Sequence, residues 1–230
     1  MNGEGGGDLG SGASLLAVGR TADVFDLGDG RVLRRYRNGA QAGAEVALMR
    51  HVARHGFPVP TVFGTVGPDL VMELLEGPTM VESIAAGDLD VVRAGRMLGD
   101  LHNWLHRLPA RTEGSQVLHM DLHPLNVIMV ARRPVVIDWG AAREGEPALD
   151  VAMTALILGE VAVSPDQVLA PLAGELLRAF VSMVPDDAGL QLDNALRLRR
   201  VDPHLAIDEQ ERLGDAAALV RTAIGGGTPH

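Results

Sequence analysis

The sequence predicts an α+β fold of two lobes, in which a strand-rich N-terminal lobe with one helix precedes a mainly helical C-terminal lobe. Two patterns support this prediction: short extended segments separated by glycine turns come first, and apolar residues at three- and four-residue spacing dominate afterwards. Apolar residues make up 47% of the 230 residues and charged residues 22%, a balance that allows a packed core and excludes a disordered chain.

The N-terminal lobe is predicted to contain antiparallel strands joined by tight turns. The pair Asp29-Gly30 is a hairpin signal, because glycine adopts the positive φ angles that short turns require. A helical apolar period follows and closes at Gly56, and Pro58 and Pro60 prevent its continuation. The expected strands are 15–18, 22–27, 31–36, 61–66 and 70–75, and the expected helix is 40–55.

The C-terminal lobe is predicted from a change of period after Gly77-Pro78, where extended segments give way to helical ones. The expected elements are helices at 80–86 and 89–108, strands at 126–130 and 134–137, and further helices after Leu149. The predicted division of the chain is a disordered tail at 1–12, an N-terminal lobe at 13–76, a C-terminal lobe at 77–225 and a second tail at 226–230.

Charge and composition limit the classes of partner and location. A formal net charge of −10 disfavours binding to nucleic acid or to anionic membranes. Residues 1–12 are glycine-rich and acidic, unlike a signal peptide, and the most apolar stretch, 151–163, is too short to span a bilayer. Because the chain contains no cysteine, we expect a cytoplasmic protein; the oligomeric state is left open.

The residues that carry chemistry are concentrated in the middle of the chain. Asp121 and Asn126 are followed, after a predicted hairpin, by Asp138, twelve residues beyond Asn126. Each of them alone is common in a turn or at a strand end. Together they supply a carboxylate that can accept a hydroxyl proton, and an amide and a second carboxylate that can hold magnesium against nucleotide phosphates.

The segment from His119 to Asn126, with Ile137-Asp138-Trp139 after it, resembles the H-x-D-x-H-x-x-N and I-D-W motifs of the aminoglycoside phosphotransferase and choline kinase family. The resemblance implies a protein-kinase-like fold and ATP-dependent transfer of a phosphoryl group to a hydroxyl of a small molecule. It implies that Asp121 is catalytic and that His119 belongs to the catalytic site by bracing its loop. Asn126 and Asp138 are the implied Mg²⁺ ligands, and Asn126 also serves the nucleotide.

The same resemblance implies a phosphate-binding residue on the third strand. Arg34 stands where kinase-like proteins carry a basic residue that contacts the nucleotide phosphates, and Glu45 on the following helix is its implied partner. Arg35 is expected on the opposite face, because successive strand residues alternate. The alternative for Arg34 and Glu45 is an ordinary surface charge on each element.

Two further segments are implied to contact the nucleotide through their backbones. Gly19 and Thr21 lie in a segment that resembles the loop covering the nucleotide, although it lacks the three glycines of protein kinases. Glu73 and Leu74 lie in a segment that resembles the one joining the lobes, whose backbone meets adenine. ATP is the implied cofactor, with GTP left open.

The resemblance covers residues 15–152 and has a supporting motif and two departures. Gly145-Glu146-Pro147-Ala148-Leu149-Asp150 resembles the family's G-x-P-x-x-D segment, in which the aspartate supports the catalytic loop. Met120 and Leu125 stand where glycines are frequent in the family. These departures leave the expected fold unchanged and bear on substrate and activity.

Other functions are compatible with parts of the sequence. A metal hydrolase is suggested by the alternation of His119, Asp121 and His123 and by His102 and His106 at i, i+4, but the glutamate of H-E-x-x-H is missing. A catalytically silent nucleotide-binding module would explain the unusual phosphate loop. A protein kinase would require an A-P-E segment and a long activation loop, and the sequence has neither.

The acceptor is expected to be a small molecule bound near Asp121 by the last helices. An aminoglycoside or another amine-bearing compound is one candidate, because these helices carry acidic side chains, whereas three arginines could favour a different acceptor. The acidic residues are Glu160, Asp186, Asp187, Asp193, Asp202, Asp208, Glu209 and Glu211, and the arginines are Arg197, Arg199 and Arg200.

Overall fold

The computed structural model describes residues 13–19, 21–37, 42–185, 187–203 and 205–225. Both predicted tails lie outside these ranges. Within them the chain has the predicted α+β architecture, with one antiparallel sheet in the first third and helices over most of the remainder.

In the N-terminal lobe the described residues form five strands and one helix. They are β1 (Ser14–Val18), β2 (Ala22–Asp26), β3 (Arg31–Tyr36), α1 (Gly43–Arg54), β4 (Val62–Val66) and β5 (Asp69–Glu73). The strands form one antiparallel sheet in the order β1-β2-β3-β5-β4, which confirms the predicted hairpins. Gly28 and Gly30 have φ angles of 78° and 77° at the β2–β3 turn, a conformation that glycine adopts without steric cost.

The described part of the C-terminal lobe contains six α-helices. They are α2 (Met80–Ala85), α3 (Val91–Leu105), α4 (Pro147–Ala162), α5 (Leu169–Val181), α6 (Ala188–Arg200) and α7 (Ile207–Gly225). Most of α4 is buried, because α5, α6 and α7 all pack against it. Such surroundings require a helix that is apolar on every side, which explains the apolar stretch 151–163. Among the described residues, no helix is both long and apolar enough to cross a membrane.

Two small antiparallel sheets frame the segment that carries the chemistry. They are β6 (Gln116–Leu118) with β9 (Arg143–Gly145), and β7 (Val127–Val130) with β8 (Arg133–Val136). The second pair confirms the predicted hairpin. The first pair was not predicted, because strands of three residues that meet only after a long connection have no recognisable period in the sequence.

The segment that joins the lobes lies directly against the β7–β8 hairpin. Met129 N–H donates to Pro78 O at 2.8 Å, and Thr79 forms a bridge with Ile128. Gly77 is required here, because a Cβ atom at this position would lie 2.5 Å from Met129 O. The segment that follows β5 is therefore held at a fixed distance from the β7–β8 hairpin.

Candidate active site

The loop that carries Asp121 is fixed by Asp150, which projects from the first turn of α4. Asp150 Oδ2 accepts a hydrogen bond from His119 N–H at 3.1 Å, and its Oδ1 accepts one from Met120 N–H at 2.6 Å. Met120 has a φ angle of 68°, a left-handed conformation that costs a residue with a Cβ about 1–2 kcal/mol. The two amide bonds hold the methionine in a conformation that a glycine would adopt freely.

Asp150 is fully buried beside His102 of α3 and His106, the residue that caps the end of that helix. His106 Nε2 lies 2.9 Å and His102 Nδ1 3.4 Å from its Oδ2. Although burial opposes the negative charge, His102 and His106 hold the pKa of the Asp150 carboxyl well below its usual range. The two histidines therefore support the back of the loop.

The metal-hydrolase alternative is weakened by this arrangement. The donor atoms of His102, His106 and Asp150 lie within 4.8 Å of one another, a spacing that could hold an ion, but Asp150 is already committed to the backbone of the loop. Over the described part of the chain, His119, Asp121 and His123 form no such group. The two sets of histidines suggested by the sequence thus do not combine at Asp121.

Asp121 and Asn126 are hydrogen-bonded to each other. Asn126 Nδ2 donates to Asp121 O at 2.8 Å and to Asp121 Oδ2 at 3.1 Å. His123, for which the sequence suggested no role in phosphoryl transfer, places Nε2 3.6 Å from Asp121 Oδ1. Burial opposes ionisation of Asp121, but the nearby His123 and the charge of Arg199 lower the pKa of its carboxyl below the ordinary value. At neutral pH the carboxylate is therefore ionised.

His119 braces the loop from within the core. Its Nδ1 accepts a hydrogen bond from Asp121 N–H at 3.3 Å, so its Nε2 carries the proton and donates to Ile137 O at 3.1 Å. The ring is fully buried and packs edge-on against Trp139, with centroids 4.8 Å apart. Burial lowers the pKa of His119, which keeps the ring neutral. His119 thus ties the loop to the residue that precedes Asp138.

Asp138 meets the N-terminal lobe through Arg34. Arg34 Nη2 donates to Asp138 Oδ1 at 2.5 Å, and Arg34 Nη1 donates to Glu45 Oε1 at 3.0 Å. Burial opposes the charge of Arg34, but Asp138 and Glu45 raise its pKa, while burial raises the pKa of Glu45. Arg35 is exposed and binds Asp69 with two hydrogen bonds of 2.7 Å, as the alternation of strand faces predicts.

Tyr36 is a member of this cluster that sequence reasoning missed. Its hydroxyl donates to Glu45 Oε2, and its ring centroid lies 4.9 Å from the guanidinium carbon of Arg34. The only available signal was its position two residues after Arg34, on the same strand face. A Cβ atom at Gly140 would lie 3.2 Å from the Tyr36 hydroxyl, so the glycine after Asp138-Trp139 leaves room for the cluster.

A cavity of about 1350 Å³ lies between the lobes. Its walls include eight residues singled out from the sequence, namely Gly19, Thr21, Arg34, Glu73, Leu74, Asp121, Asn126 and Asp138. Glu45 and His119 are buried; Glu45 is bonded to Arg34 at this surface, and His119 is bonded to the loop that carries Asp121. Apolar side chains complete the part nearest the sheet, namely Val24, Val32, Met72, Ile128 and Ile137.

The segment that joins the lobes offers fewer free backbone groups than the sequence suggested. Leu74 N–H donates to Gly30 O at 2.9 Å, and the Glu73 carboxylate accepts a hydrogen bond from Thr61 N–H at 3.0 Å. Within the described ranges, Leu75 N–H makes no hydrogen bond to another backbone group, and Leu75 lines the cavity. Leu75 is therefore the better placed amide for a ligand.

Replacing Asp150 with asparagine is expected to lower the free energy of unfolding at pH 7 by about 3–5 kcal/mol, because a buried charge with four polar neighbours is lost. Urea denaturation measures the change. The depressed pKa of Asp150 means that its contribution is complete above pH 3.8 and is lost as the pH falls through the lower pKa of the folded state. Equal stability of both proteins at pH 7 would contradict the role of Asp150.

Several solved structures that resemble this chain carry the name of a kinase or a phosphotransferase. An amicoumacin kinase in complex with AMP-PNP, Ca²⁺ and amicoumacin has a TM-score of 0.58 at 16% identity, covering 94% of this chain and 89% of its own. A choline/ethanolamine kinase family protein from Mesorhizobium loti has a TM-score of 0.60 at 17% identity, covering 96% and 95%. An aminoglycoside phosphotransferase APH(4)-Ia mutant with AMP-PNP and hygromycin B has a TM-score of 0.54 at 17% identity, covering 95% of each chain.

At these identities the structural likeness establishes the protein-kinase-like fold. No curated protein matches the sequence. The model of one family, described as the phosphotransferase enzyme family, matches residues 12–115 and 71–183, which is well over half of the chain. On this match and on the fold, the chain belongs to the phosphotransferase enzyme family.

Proposed function

We propose that this protein transfers the γ-phosphoryl group of ATP to a hydroxyl of a small molecule. The observation that carries the proposal is the opening of Asp121, Asn126 and Asp138 onto one cavity, together with Arg34 and the segment joining the lobes. A phosphoryl acceptor and a nucleotide could thus occupy adjoining parts of the same space.

Asp121 is the proposed base. Its ionised carboxylate accepts a hydrogen bond from Asn126 through Oδ2 and lies close to His123 through Oδ1, so its position is set before an acceptor binds. A carboxylate with a lowered pKa is a weak base, which suits a loose transition state in which the hydroxyl proton leaves late. We propose that Asp121 mainly orients the acceptor hydroxyl and then takes its proton.

Asp138 and Asn126 are the proposed ligands of a divalent cation. The bonds from Asn126 Nδ2 to Asp121 leave the amide oxygen as the atom that can bind a metal. Asp138 uses Oδ1 for Arg34, which leaves Oδ2 on a side chain that is 41% exposed. A carboxylate and an amide oxygen form a donor set that fits Mg²⁺, which when bound neutralises charge on the nucleotide phosphates.

The N-terminal lobe is proposed to bind the nucleotide. Arg34 is held in place by Glu45, Asp138 and the ring of Tyr36. Its guanidinium, which has further N–H groups, is therefore already oriented at the wall of the cavity. The apolar side chains beneath the sheet suit a purine, and the free amide of Leu75 could hydrogen-bond to its edge. The complexes of similar kinases with AMP-PNP support ATP over GTP.

A small-molecule acceptor is favoured over a protein. Between Asp138 and α4 the chain forms only a short 3-10 turn and β9, which leaves no room for a long activation loop. A silent nucleotide-binding module is disfavoured, because the Asp121–Asn126 pair and the Arg34–Asp138 pair are both assembled. The similar structures with amicoumacin and hygromycin B also support a small acceptor.

The proposal is tested by calorimetric titration with AMP-PNP in Mg²⁺ and in EDTA, beside a phosphate-transfer screen. The screen contains aminoglycosides, choline, sugars and a generic protein substrate. We expect binding that depends on Mg²⁺ and ADP formation with at least one small acceptor. Absence of AMP-PNP binding, or transfer to the protein substrate alone, would contradict the proposal.

A further inference from the structure

The end of the cavity beyond Asp121 has a composition that bears on the acceptor. Apolar side chains of α4 and of two later helices line it, namely Met153, Ile157, Val161, Leu169 and Leu198. Val161, Leu169 and Leu198 are 37%, 42% and 37% exposed, which makes them large apolar side chains that open onto a cavity instead of a packed core. Cavities with such walls favour ligands with matching apolar surface.

The carboxylates at this end of the cavity already have partners inside the protein. Glu160 accepts hydrogen bonds from Arg199 Nε at 2.9 Å and from Arg199 Nη2 at 3.1 Å. Asp202 accepts one from Arg199 Nη1 at 2.9 Å. Asp166 accepts hydrogen bonds from the amides of Val168 and Leu169, both at 2.8 Å.

The remaining carboxylate on this wall, Glu209, is engaged in the same way. It accepts a hydrogen bond from Ala206 N–H at 2.8 Å. Among the described residues, each carboxylate that lines this end of the cavity therefore makes an internal contact before any acceptor binds.

The charge of Arg199 also works against a cationic acceptor. Its guanidinium reaches into the same cavity as Asp121 and lowers the pKa of that carboxyl, which indicates that the two groups influence each other. An acceptor whose ammonium groups paired with Glu160 or Asp202 would displace Arg199 from them, at the cost of a partly buried charge-assisted pair. An uncharged acceptor would leave the pair intact.

We propose that the acceptor is a hydroxyl compound with a sizeable apolar body and at most one positive charge. Its apolar part would lie on Val161, Leu169 and Leu198, with a hydroxyl directed to Asp121. The inference rests on the proposed phosphotransferase function and narrows its substrate class. It places polycationic aminoglycosides among the poor acceptors.

The test uses direct binding of three probes by calorimetric titration, with and without AMP-PNP and Mg²⁺. Octyl β-D-glucoside, below its critical micelle concentration, and glucose share their hydroxyl groups and differ in the apolar tail, and kanamycin is the polycation. We expect the octyl compound to bind at least about ten-fold more tightly than glucose and than kanamycin, a ratio that burial of two methylene groups already produces.

Leu198→Asp is expected to remove the preference for the octyl compound and to strengthen kanamycin binding, while AMP-PNP binding stays unchanged. Leu190→Asp, on the same helix but 82% exposed and outside the cavity, is the matched control and is expected to retain the preference. Arg199→Gln, which releases Glu160 and Asp202, is a second route to stronger kanamycin binding.

Each outcome is decisive for one proposal or the other. Tighter binding of kanamycin than of the octyl compound to the wild type, or no preference for the octyl compound over glucose, would overturn the acceptor class. Failure of AMP-PNP to bind would instead count against the phosphotransferase function. The two failures can be told apart because binding of the three probes is also measured without nucleotide.

Discussion

The Asp121→Asn protein is expected to lose phosphoryl transfer by about 10³-fold in kcat, with AMP-PNP affinity within about two-fold of the wild type. Asparagine keeps an oxygen that can accept the hydrogen bond from Asn126 Nδ2, so the loop and the metal ligands stay in place. What it removes is the charge that orients the acceptor hydroxyl and takes its proton. Steady-state kinetics with the best acceptor from the screen and calorimetric titration with AMP-PNP measure the two quantities.

Asp100→Asn is the control for this substitution. Asp100 is exposed on α3 and does not line the cavity. Its substitution therefore makes the same chemical change outside the site. Its kcat should equal that of the wild type. Turnover by Asp121→Asn at the wild-type rate would remove Asp121 from the role of base.

In Mg²⁺ the Asp138→Asn protein is expected to bind AMP-PNP about 100-fold more weakly than the wild type does. Its affinity for AMP-PNP is expected to be the same in Mg²⁺ and in EDTA. The substitution removes the charge that we propose holds a divalent cation, and it weakens the bond that orients Arg34, a charge-assisted pair worth up to about 3 kcal/mol. Glu45 and Tyr36 remain bound to Arg34 and to each other, so the sheet and α1 should keep their packing. Calorimetric titration with and without EDTA measures the effect.

Asp88→Asn, an exposed position in the connection between α2 and α3, is the matched control for the Asp138 substitution. Thermal unfolding of all three proteins separates loss of a ligand from loss of the fold, since the melting temperature of the nucleotide-free Asp138→Asn protein should change little. Retention of Mg²⁺-dependent binding by a folded Asp138→Asn protein would exclude Asp138 as a metal ligand.

The elements of this fold could be predicted from the sequence where the signal was local. The β2–β3 turn requires glycine at positive φ, and α1 and α3 show a helical apolar period. The β7–β8 hairpin is formed by two short apolar runs with a turn between them. The pairing of β6 with β9 could not be predicted, because it depends on residues more than twenty positions apart. For the positive φ of Met120 the one signal was the resemblance, since glycines are frequent at this position in the family and nothing in the residue type of methionine favours it.

The candidate site also has features that could be predicted from the sequence and features that could not. The spacing of Asp121, Asn126 and Asp138 is a property of one short segment, and the alternation of strand faces separates Arg34 from Arg35; both could be read from the sequence. Their meeting could not, because Arg34 reaches Asp138 across 104 positions of the chain.

Residue order therefore determined the chemical groups and their local spacing, including the family to which the catalytic segment is similar. Only the tertiary structure decided which of the equally plausible polar residues face the cavity. It brought Tyr36 to Glu45, turned His102 and His106 toward Asp150, and paired Arg199 with Glu160. The physical reason is that burial makes an unpaired charge costly, so the packing of α3, α4 and α6 selects the partners.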